Sequence, residues 1–240
     1  YILFGRDFDG KTKDEVLDDI HSYQNEADIP LLIGVDEEGG TVVRVSSNPN
    51  LRETPFLSPK DTYADGGWDA VKQDAEEKAD LLFSLGINVN LAPVCDMTSD
   101  EYGFMYDRSF SSDVDMENRY VRTVVETSKS KKLGTVLKHF PGYGNNSDTH
   151  TGIAYDDRDY SEFENTDFKP FYQGIESGAD CILVSHNIVN CMDSEYPASL
   201  SQKVHDILRN EFKFDGVIMT DDLIMDAITD FTGDEAAAVT

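Results

Sequence analysis

Short apolar runs alternate with longer amphipathic segments along most of the chain. The apolar runs predict six strands, which begin near residues 1, 31, 88, 135, 181 and 216. Between them, apolar positions recur at helical spacing and predict helices over residues 13–27, 69–85, 114–133, 168–176, 223–231 and a segment capped by Ser201. Strands made of continuous apolar runs and separated by helices are typical of a parallel sheet that is buried on both faces.

Polar or ionisable side chains follow most of these strands. Five of the predicted strands end at Asp36, Asp96, the pair Lys138 and His139, His186, and Asp221. In a β/α barrel the carboxyl ends of the strands meet at one mouth, where the active sites of that fold lie. In an open sheet the outer residues would lie too far apart to cooperate.

The fold class follows from this comparison. No Gly-x-Gly-x-x-Gly follows a predicted strand, which disfavours a nucleotide-binding doubly wound sheet. The sequence therefore predicts an α/β protein of the (β/α)8, TIM-barrel type. We expect a single barrel domain over residues 1–240, truncated to six visible strands, with the closing strands beyond Thr240.

Composition narrows the classes of partner. The 240 residues include 47 Asp and Glu against 20 Lys and Arg, a net charge of −27, and such a surface repels nucleic acid and anionic membranes. No apolar run approaches the roughly 20 residues of a membrane span. The three cysteines lack the spacing of a disulfide framework or a zinc site. The acidity is more typical of an exported bacterial protein than of a cytosolic one.

Asp148, His150 and Asp221 are the best candidates for bond-breaking chemistry. Asp148 and His150 are two residues apart, so on an extended loop their side chains point the same way. A carboxylate beside an imidazole fixes its tautomer and favours proton transfer near neutral pH. With a fixed carboxylate at Asp221, the set suits a retaining glycosidase. The alternatives are that Asp148 is an ordinary turn residue and that Asp221 is the N-cap of a helix.

The residues around these candidates resemble a known family. Residues 135–150 read TVLKHFPGYGNNSDTH and closely resemble the KHFPG…D-S/T-H motif of glycoside hydrolase family 3, in its β-N-acetylglucosaminidase branch. Further matches in chain order are LLIGVDEEGGTVVR at 31–44, NLAPV at 90–94, DRSF at 107–110 and GVIMTDDLIMDAI at 216–228. Any one match is weak, but five in order extend over nearly the whole chain.

The resemblance implies roles for individual residues. It implies that Asp221 is the catalytic nucleophile, that His150 is the acid/base and that Asp148 is its partner. It also implies sugar-binding residues: Asp36, Arg44, Arg108, Lys138 and His139. The sequence departs from the family pattern at Glu37, where Gln is common, at Thr41, where Arg is common, and at Tyr143, where a second His is usual. These departures leave the exact substrate less determined than the reaction.

The resemblance implies a retaining hydrolase that removes terminal β-linked N-acetylglucosamine, without a metal or cofactor. Its partner would be a carbohydrate substrate such as a peptidoglycan fragment or a chitooligosaccharide. Alternatives on the same scaffold are a β-glucosidase, a phosphorylase and a non-catalytic sugar-binding barrel. A metal-dependent hydrolase would instead use some of five side chains as ligands: His139, Asp148, His150, His186 and Asp221. Two alternatives concern single residues. Asp36 and Arg44 could form a structural ion pair instead of binding sugar, and His186 could either line the site or hydrogen-bond to a loop.

Overall fold

The computed structural model describes residues 1–146 and 148–233. It contains eight strands: β1 (Ile2–Leu3), β2 (Gly34–Val35), β3 (Val89–Asn90), β4 (Gly134–Phe140), β5 (Tyr155–Asp156), β6 (Cys181–Val184), β7 (Ile188–Val189) and β8 (Val217–Thr220). Six of them form a parallel sheet in the order β1-β2-β3-β4-β6-β8, and β5 pairs with β7 in a separate parallel pair. The strand order follows the chain without the reversal of a doubly wound sheet, and the sheet curls into part of a barrel.

Helices connect these strands. They are α1 (Lys13–Asn25), α2 (Pro59–Ser84), α3 (Val114–Ser130), α4 (Tyr160–Asn165), α5 (Phe168–Ser177), α6 (Gln202–Asp206) and α7 (Asp226–Thr232). The ends are defined by side-chain caps where the sequence provides them, since Thr12, Ser58 and Ser201 each accept a backbone N–H from the first turn. In the described ranges no helix is both long and apolar enough to cross a bilayer.

The core explains why the strands are apolar throughout. In β4, Leu137 packs outward among Val125, Phe171 and other helix side chains. Its neighbour Val136 points inward, toward Leu91 and Leu183. Both faces are therefore buried, and each fully buried aliphatic side chain contributes roughly 1.5–3 kcal/mol.

Several elements differ from the prediction. Helix α2 begins at Pro59 rather than residue 69, and Gly66 and Gly67 interrupt it with non-helical backbone angles. Helix α4 and the β5–β7 pair were not predicted at all. Helix α7 begins at Asp226, with Met225 at its N-cap. Asp221 is therefore not a helix N-cap, and the loop of residues 221–225 separates it from the helix.

Candidate active site

The carboxyl ends of the strands open into one cavity of about 230 Å³. All of the predicted site residues except Asp148 line it: Asp36, Arg44, Arg108, Lys138, His139, His150 and Asp221. Val42, Leu91 and Leu183 supply its apolar wall. A larger cavity, of about 690 Å³, lies at the opposite end of the strands and is lined mainly by apolar side chains and glycines. The grouping of ionisable side chains therefore marks the smaller cavity as the candidate site.

Lys138 lies at the bottom of this cavity and is only 2 % exposed. Its ammonium group is 2.6 Å from Asp36 Oδ1 and 2.5 Å from Glu38 Oε1. Burial opposes the charged form, but the two carboxylates raise the pKa of Lys138 above its ordinary value. Lys138 is therefore protonated, and the predicted alternative of an Asp36–Arg44 ion pair gives way to an Asp36–Lys138 pair.

Glu38 joins Lys138 to Arg108. Arg108 donates from Nε to Glu38 Oε2 (3.0 Å) and from Nη2 to Oε1 (2.8 Å), which is the bidentate geometry typical of Arg–carboxylate pairs. Glu38 is buried, and burial favours its neutral form, yet Lys138 and Arg108 lower its pKa to about 2. The same pairing raises the pKa of Arg108. One carboxylate thus holds two cations that face the cavity.

His139 is held in a comparable way by Asp96. It donates from Nδ1 to Asp96 Oδ2 (2.7 Å), which also accepts the His139 backbone N–H (2.9 Å). Nε2 of His139 lies 3.2 Å from Arg108 Nη2. The peptide bond between Lys138 and His139 is cis, and the pairing of β4 with β6 shifts register between Leu137 and Phe140. Where the register shifts, Lys138 and His139 line the same cavity instead of facing opposite sides.

The predicted Asp148–His150 pair is formed. His150 donates to Asp148 Oδ1 from Nδ1 (2.7 Å) and from its backbone N–H (2.9 Å). The local backbone is not the extended loop that the sequence suggested, because Asp148 is the N-cap of a 3-10 turn at Thr149–Thr151. Asp148 is therefore both a turn residue and the partner of the imidazole. The His150 side chain is 60 % exposed and borders the cavity.

Asp221 directly follows strand β8 and lines the cavity. Its backbone N–H donates to Val184 O (3.0 Å), and its Oδ1 accepts the N–H of Asp222 (2.9 Å). Burial would raise the pKa of Asp221, but His139, the Asp222 N–H, His186 and Lys138 together lower it. The site therefore favours an ionised Asp221.

His186 hydrogen-bonds to a loop, which was one of the two roles considered for it. Nδ1 lies 2.7 Å from Ser199 Oγ and Nε2 lies 2.9 Å from the carbonyl oxygen of Asp222. The ring is fully buried, and this burial lowers its pKa. His186 thus supports the loop that follows Asp221 and does not line the cavity.

Glu37, one of the departures from the family pattern, shapes the loop of Arg44. Its buried carboxylate accepts the backbone N–H groups of Arg44 (2.9 Å), Val45 (2.7 Å) and Ser46 (3.3 Å). Arg44 is half-buried and reaches the cavity from this loop.

Two residues that hold other side chains of the site, Glu38 and Asp96, were not among the candidates. Both are buried carboxylates in the segment that follows a strand, Glu38 three residues after β2 and Asp96 six residues after β3. What the sequence does not reveal is that each binds a cation or imidazole of the site.

The metal alternative has little support in this geometry. Both ring nitrogens of His139 and of His186 are within hydrogen-bonding distance of protein groups. Within residues 1–146 and 148–233, no group of three or more His, Cys, Asp or Glu side chains is arranged to hold a metal ion.

Comparison with known proteins gives consistent results. The model of the glycosyl hydrolase family 3 N-terminal domain matches residues 1–240. A β-hexosaminidase of Hydrogenovibrio crunogenus is 31% identical over 244 residues, covering 100% of this chain and 67% of its own length. One of Nitrosomonas eutropha is 32% identical over 237 residues, covering 96% of this chain and 66% of its own length.

A solved structure shows the same fold. The family 3 β-N-acetylglucosaminidase of Paenibacillus sp. str. FPU-7 superposes with a TM-score of 0.89 at 28% identity, over 99% of this chain and 46% of its own. The chain thus spans about two thirds of the length of the two β-hexosaminidases and less than half of this enzyme. From the match over its whole length and the shared architecture, the chain belongs to glycoside hydrolase family 3, whose N-terminal domain it represents.

Proposed function

We propose that this chain is the catalytic barrel of a retaining β-N-acetylglucosaminidase. The observation that supports this most strongly is the arrangement of the site around one cavity. His150, with its Asp148 partner, and an ionised Asp221 lie there together with the charged side chains of Lys138 and Arg108. The relatives named β-hexosaminidase and the solved β-N-acetylglucosaminidase suggest the sugar.

In the first step, a carboxylate oxygen of Asp221 attacks the anomeric carbon while the bond to the leaving oxygen breaks. His150 donates a proton from Nε2 to that oxygen, because Nδ1 is engaged with Asp148. In the second step His150 takes a proton from water, and the oxygen of that water displaces Asp221 from the anomeric carbon. Two displacements at the same carbon retain its configuration.

The remaining site residues would bind the terminal sugar. Lys138 and Arg108 can donate to sugar hydroxyls, and Asp36 can accept from them. His139 lines the same cavity beside Arg108. Arg44 approaches from the loop after β2. At about 230 Å³ the cavity is below the roughly 300–1,000 Å³ of drug-sized ligand sites, which suits one sugar residue and removal of a chain end.

The natural substrate would be a glycan that ends in β-linked N-acetylglucosamine. Peptidoglycan fragments and chitooligosaccharides both meet this requirement, and the geometry of the terminal-sugar site does not separate them.

One observation favours a second candidate, phosphorolysis. The acid/base is an exposed imidazole rather than a carboxylate, so it does not repel a phosphate that approaches the glycosyl-enzyme. Phosphate would then replace water in the second step and give a sugar phosphate.

Hydrolysis of an aryl β-N-acetylglucosaminide should be measured beside that of the matching aryl β-glucoside, with and without phosphate and a chelator. We expect faster release of the aryl group from the N-acetylglucosaminide, with free sugar as product and no effect of the chelator. A sugar phosphate as product would identify the phosphorylase, and preference for the glucoside would identify a β-glucosidase. Loss of activity with chelator would support the metal-dependent hydrolase, and binding without turnover would leave a sugar-binding protein.

A further inference from the structure

The side chain of Tyr143 reaches the turn that holds the acid/base pair. Its hydroxyl oxygen lies 2.6 Å from Oγ1 of Thr149, within hydrogen-bonding distance. Thr149 stands between Asp148 and His150 at the start of the 3-10 turn. Tyr143 is 2 % exposed and Thr149 is fully buried, so this hydrogen bond is shielded from water.

The other end of Tyr143 is fixed to the sugar-binding side of the cavity. Its backbone N–H donates to Asp96 Oδ1 (2.8 Å), and the other oxygen of Asp96 holds His139. The phenol ring packs edge-on against Phe104, with ring centroids 5.1 Å apart, and against His139 at 5.4 Å. Tyr143 therefore spans the distance from the Asp96–His139 pair to the turn of the acid/base pair.

Of Asp148, Thr149 and His150, only Thr149 is buried. The side chain of His150 is 60 % exposed and that of Asp148 is 32 % exposed, so neither is fixed by close packing. A hydrogen bond to the buried Thr149 therefore anchors the backbone from which the side chains of Asp148 and His150 project.

We propose that Tyr143 is a positioning residue for the acid/base pair, and that its hydroxyl, through Thr149, fixes the turn that presents His150 to the leaving oxygen. This inference rests on the proposed role of His150. The hydroxyl acts as a neutral group, since burial and the nearby Asp221 raise the pKa of Tyr143. It transfers no proton to the substrate.

A positioning role and a merely structural role predict different kinetics. A misplaced acid slows the first step only for leaving groups that need a proton, whereas general damage slows it for all. Tyr143→Phe removes the hydroxyl and keeps the ring. We expect about a tenfold lower kcat/KM for a methyl or sugar leaving group, the scale of one hydrogen bond. For a dinitrophenyl leaving group we expect kcat/KM within about twofold of the unaltered protein.

The second step gives an independent readout. With the dinitrophenyl substrate, release of the glycosyl-enzyme needs His150 as base, so kcat of Tyr143→Phe should fall. Azide attacks without a base and should restore that kcat, giving a glycosyl azide. Thr149→Val removes the other half of the hydrogen bond and should behave alike, and the double variant should be no worse than either single one.

Tyr160→Phe is a matched control. It also removes a Tyr hydroxyl hydrogen bond, of 2.8 Å to Glu211, from a residue that does not line the cavity. Its kinetics should match those of the unaltered protein.

Unchanged kinetics of Tyr143→Phe, equal losses for all leaving groups, or additive effects in the double variant would overturn the positioning role. So would failure of both Tyr143→Phe and Thr149→Val to fold. His150→Ala is included in the same series to separate this inference from the proposed function. If His150→Ala shows leaving-group dependence and Tyr143→Phe does not, only the role of Tyr143 is wrong.

Discussion

Glu38 and Arg108, 70 residues apart in the chain, form a bidentate ion pair at the bottom of the cavity, with bonds of 2.8 and 3.0 Å. Lys138 shares the same carboxylate at 2.5 Å. The result is a series of alternating charges that ends beside His139: Asp36, Lys138, Glu38 and Arg108. Because like charges would otherwise meet in a buried space, Glu38 is what allows Lys138 and Arg108 to face the cavity together.

Glu38→Gln should damage both stability and activity. Removing one partner of a buried pair costs roughly 3–5 kcal/mol, because it leaves the other charge uncompensated. We expect a loss of this order in the free energy of unfolding, measured with urea, and a fall in kcat/KM of at least about a hundredfold. Glu76→Gln is the control, since its carboxylate pairs with Lys72 at an exposed site and should change stability by less than about 0.5 kcal/mol. Equal effects of the two variants would contradict this role of Glu38.

Acid should remove the stability that Glu38 provides. The pKa of Glu38 is about 2 in the folded protein, below its ordinary value of 4.5. Its contribution is therefore present above about pH 4.5 and is lost as pH falls toward 2, on the order of 3 kcal/mol. Urea unfolding at several pH values should show a shallower decline in Glu38→Gln than in the unaltered protein. Parallel declines would show that Glu38 titrates normally.

Under the proposed function Lys138 contacts the sugar in the ground and transition states alike, so Lys138→Met should weaken binding and slow catalysis together. Lys138 is also among the groups that lower the pKa of Asp221. Without it that pKa rises, so the acidic limb of the kcat/KM profile should move to higher pH. Lys72→Met, at an exposed position, is the control. A large loss of activity with an unmoved acidic limb would mean that Lys138 binds sugar without influencing Asp221.

Variants of the acid/base pair should differ by leaving group. His150→Ala should spare the first step with activated aryl substrates and slow the second, so that the glycosyl-enzyme accumulates. Asp148→Ala should show the same pattern in milder form, because Asp148 only orients and polarises the imidazole. Asp221→Ala should abolish both steps with every leaving group. Burst kinetics with a dinitrophenyl substrate measure the two steps separately in each variant. An equal loss in both steps for His150→Ala would contradict its assignment as the acid/base.

The fold and most of the candidate site were predictable from the sequence. Buried parallel strands are continuous apolar runs, so Cys181–Val184 and its counterparts stand out, and the barrel prediction is confirmed. Because such strands end at one mouth, the pattern alone places residues as distant as Asp36 and Asp221 together, and both line one cavity. The family is confirmed as well.

What could not be predicted depends on contacts between distant parts of the chain. Glu38 and Asp96 are carboxylates in the segments after β2 and β3, but their partners follow 70 and 43 residues later. Lys138 and His139 face the same cavity at a local register shift of β4. The alternation of side chains along a regular strand does not predict such a shift. Strands β5 and β7 form a pair of their own outside the six-stranded sheet, so they depend on contacts between residues 155–156 and 188–189.

The departure at Tyr143 shows the same limit. The sequence identifies it as unusual for the family, but only the fold brings its hydroxyl to Thr149. Its consequence for His150 remains the inference to be tested with Tyr143→Phe.

Identification of the residue that bonds covalently to the sugar tests the central claim most directly. His150→Ala should be incubated with a fluorinated sugar that has an activated leaving group, digested, and analysed by mass spectrometry. We predict that the sugar adduct is on Asp221, and that the anomeric configuration of the product released by the unaltered protein is retained. An adduct on another carboxylate, such as Asp36 or Asp222, or inversion at the anomeric carbon, would contradict the proposed mechanism.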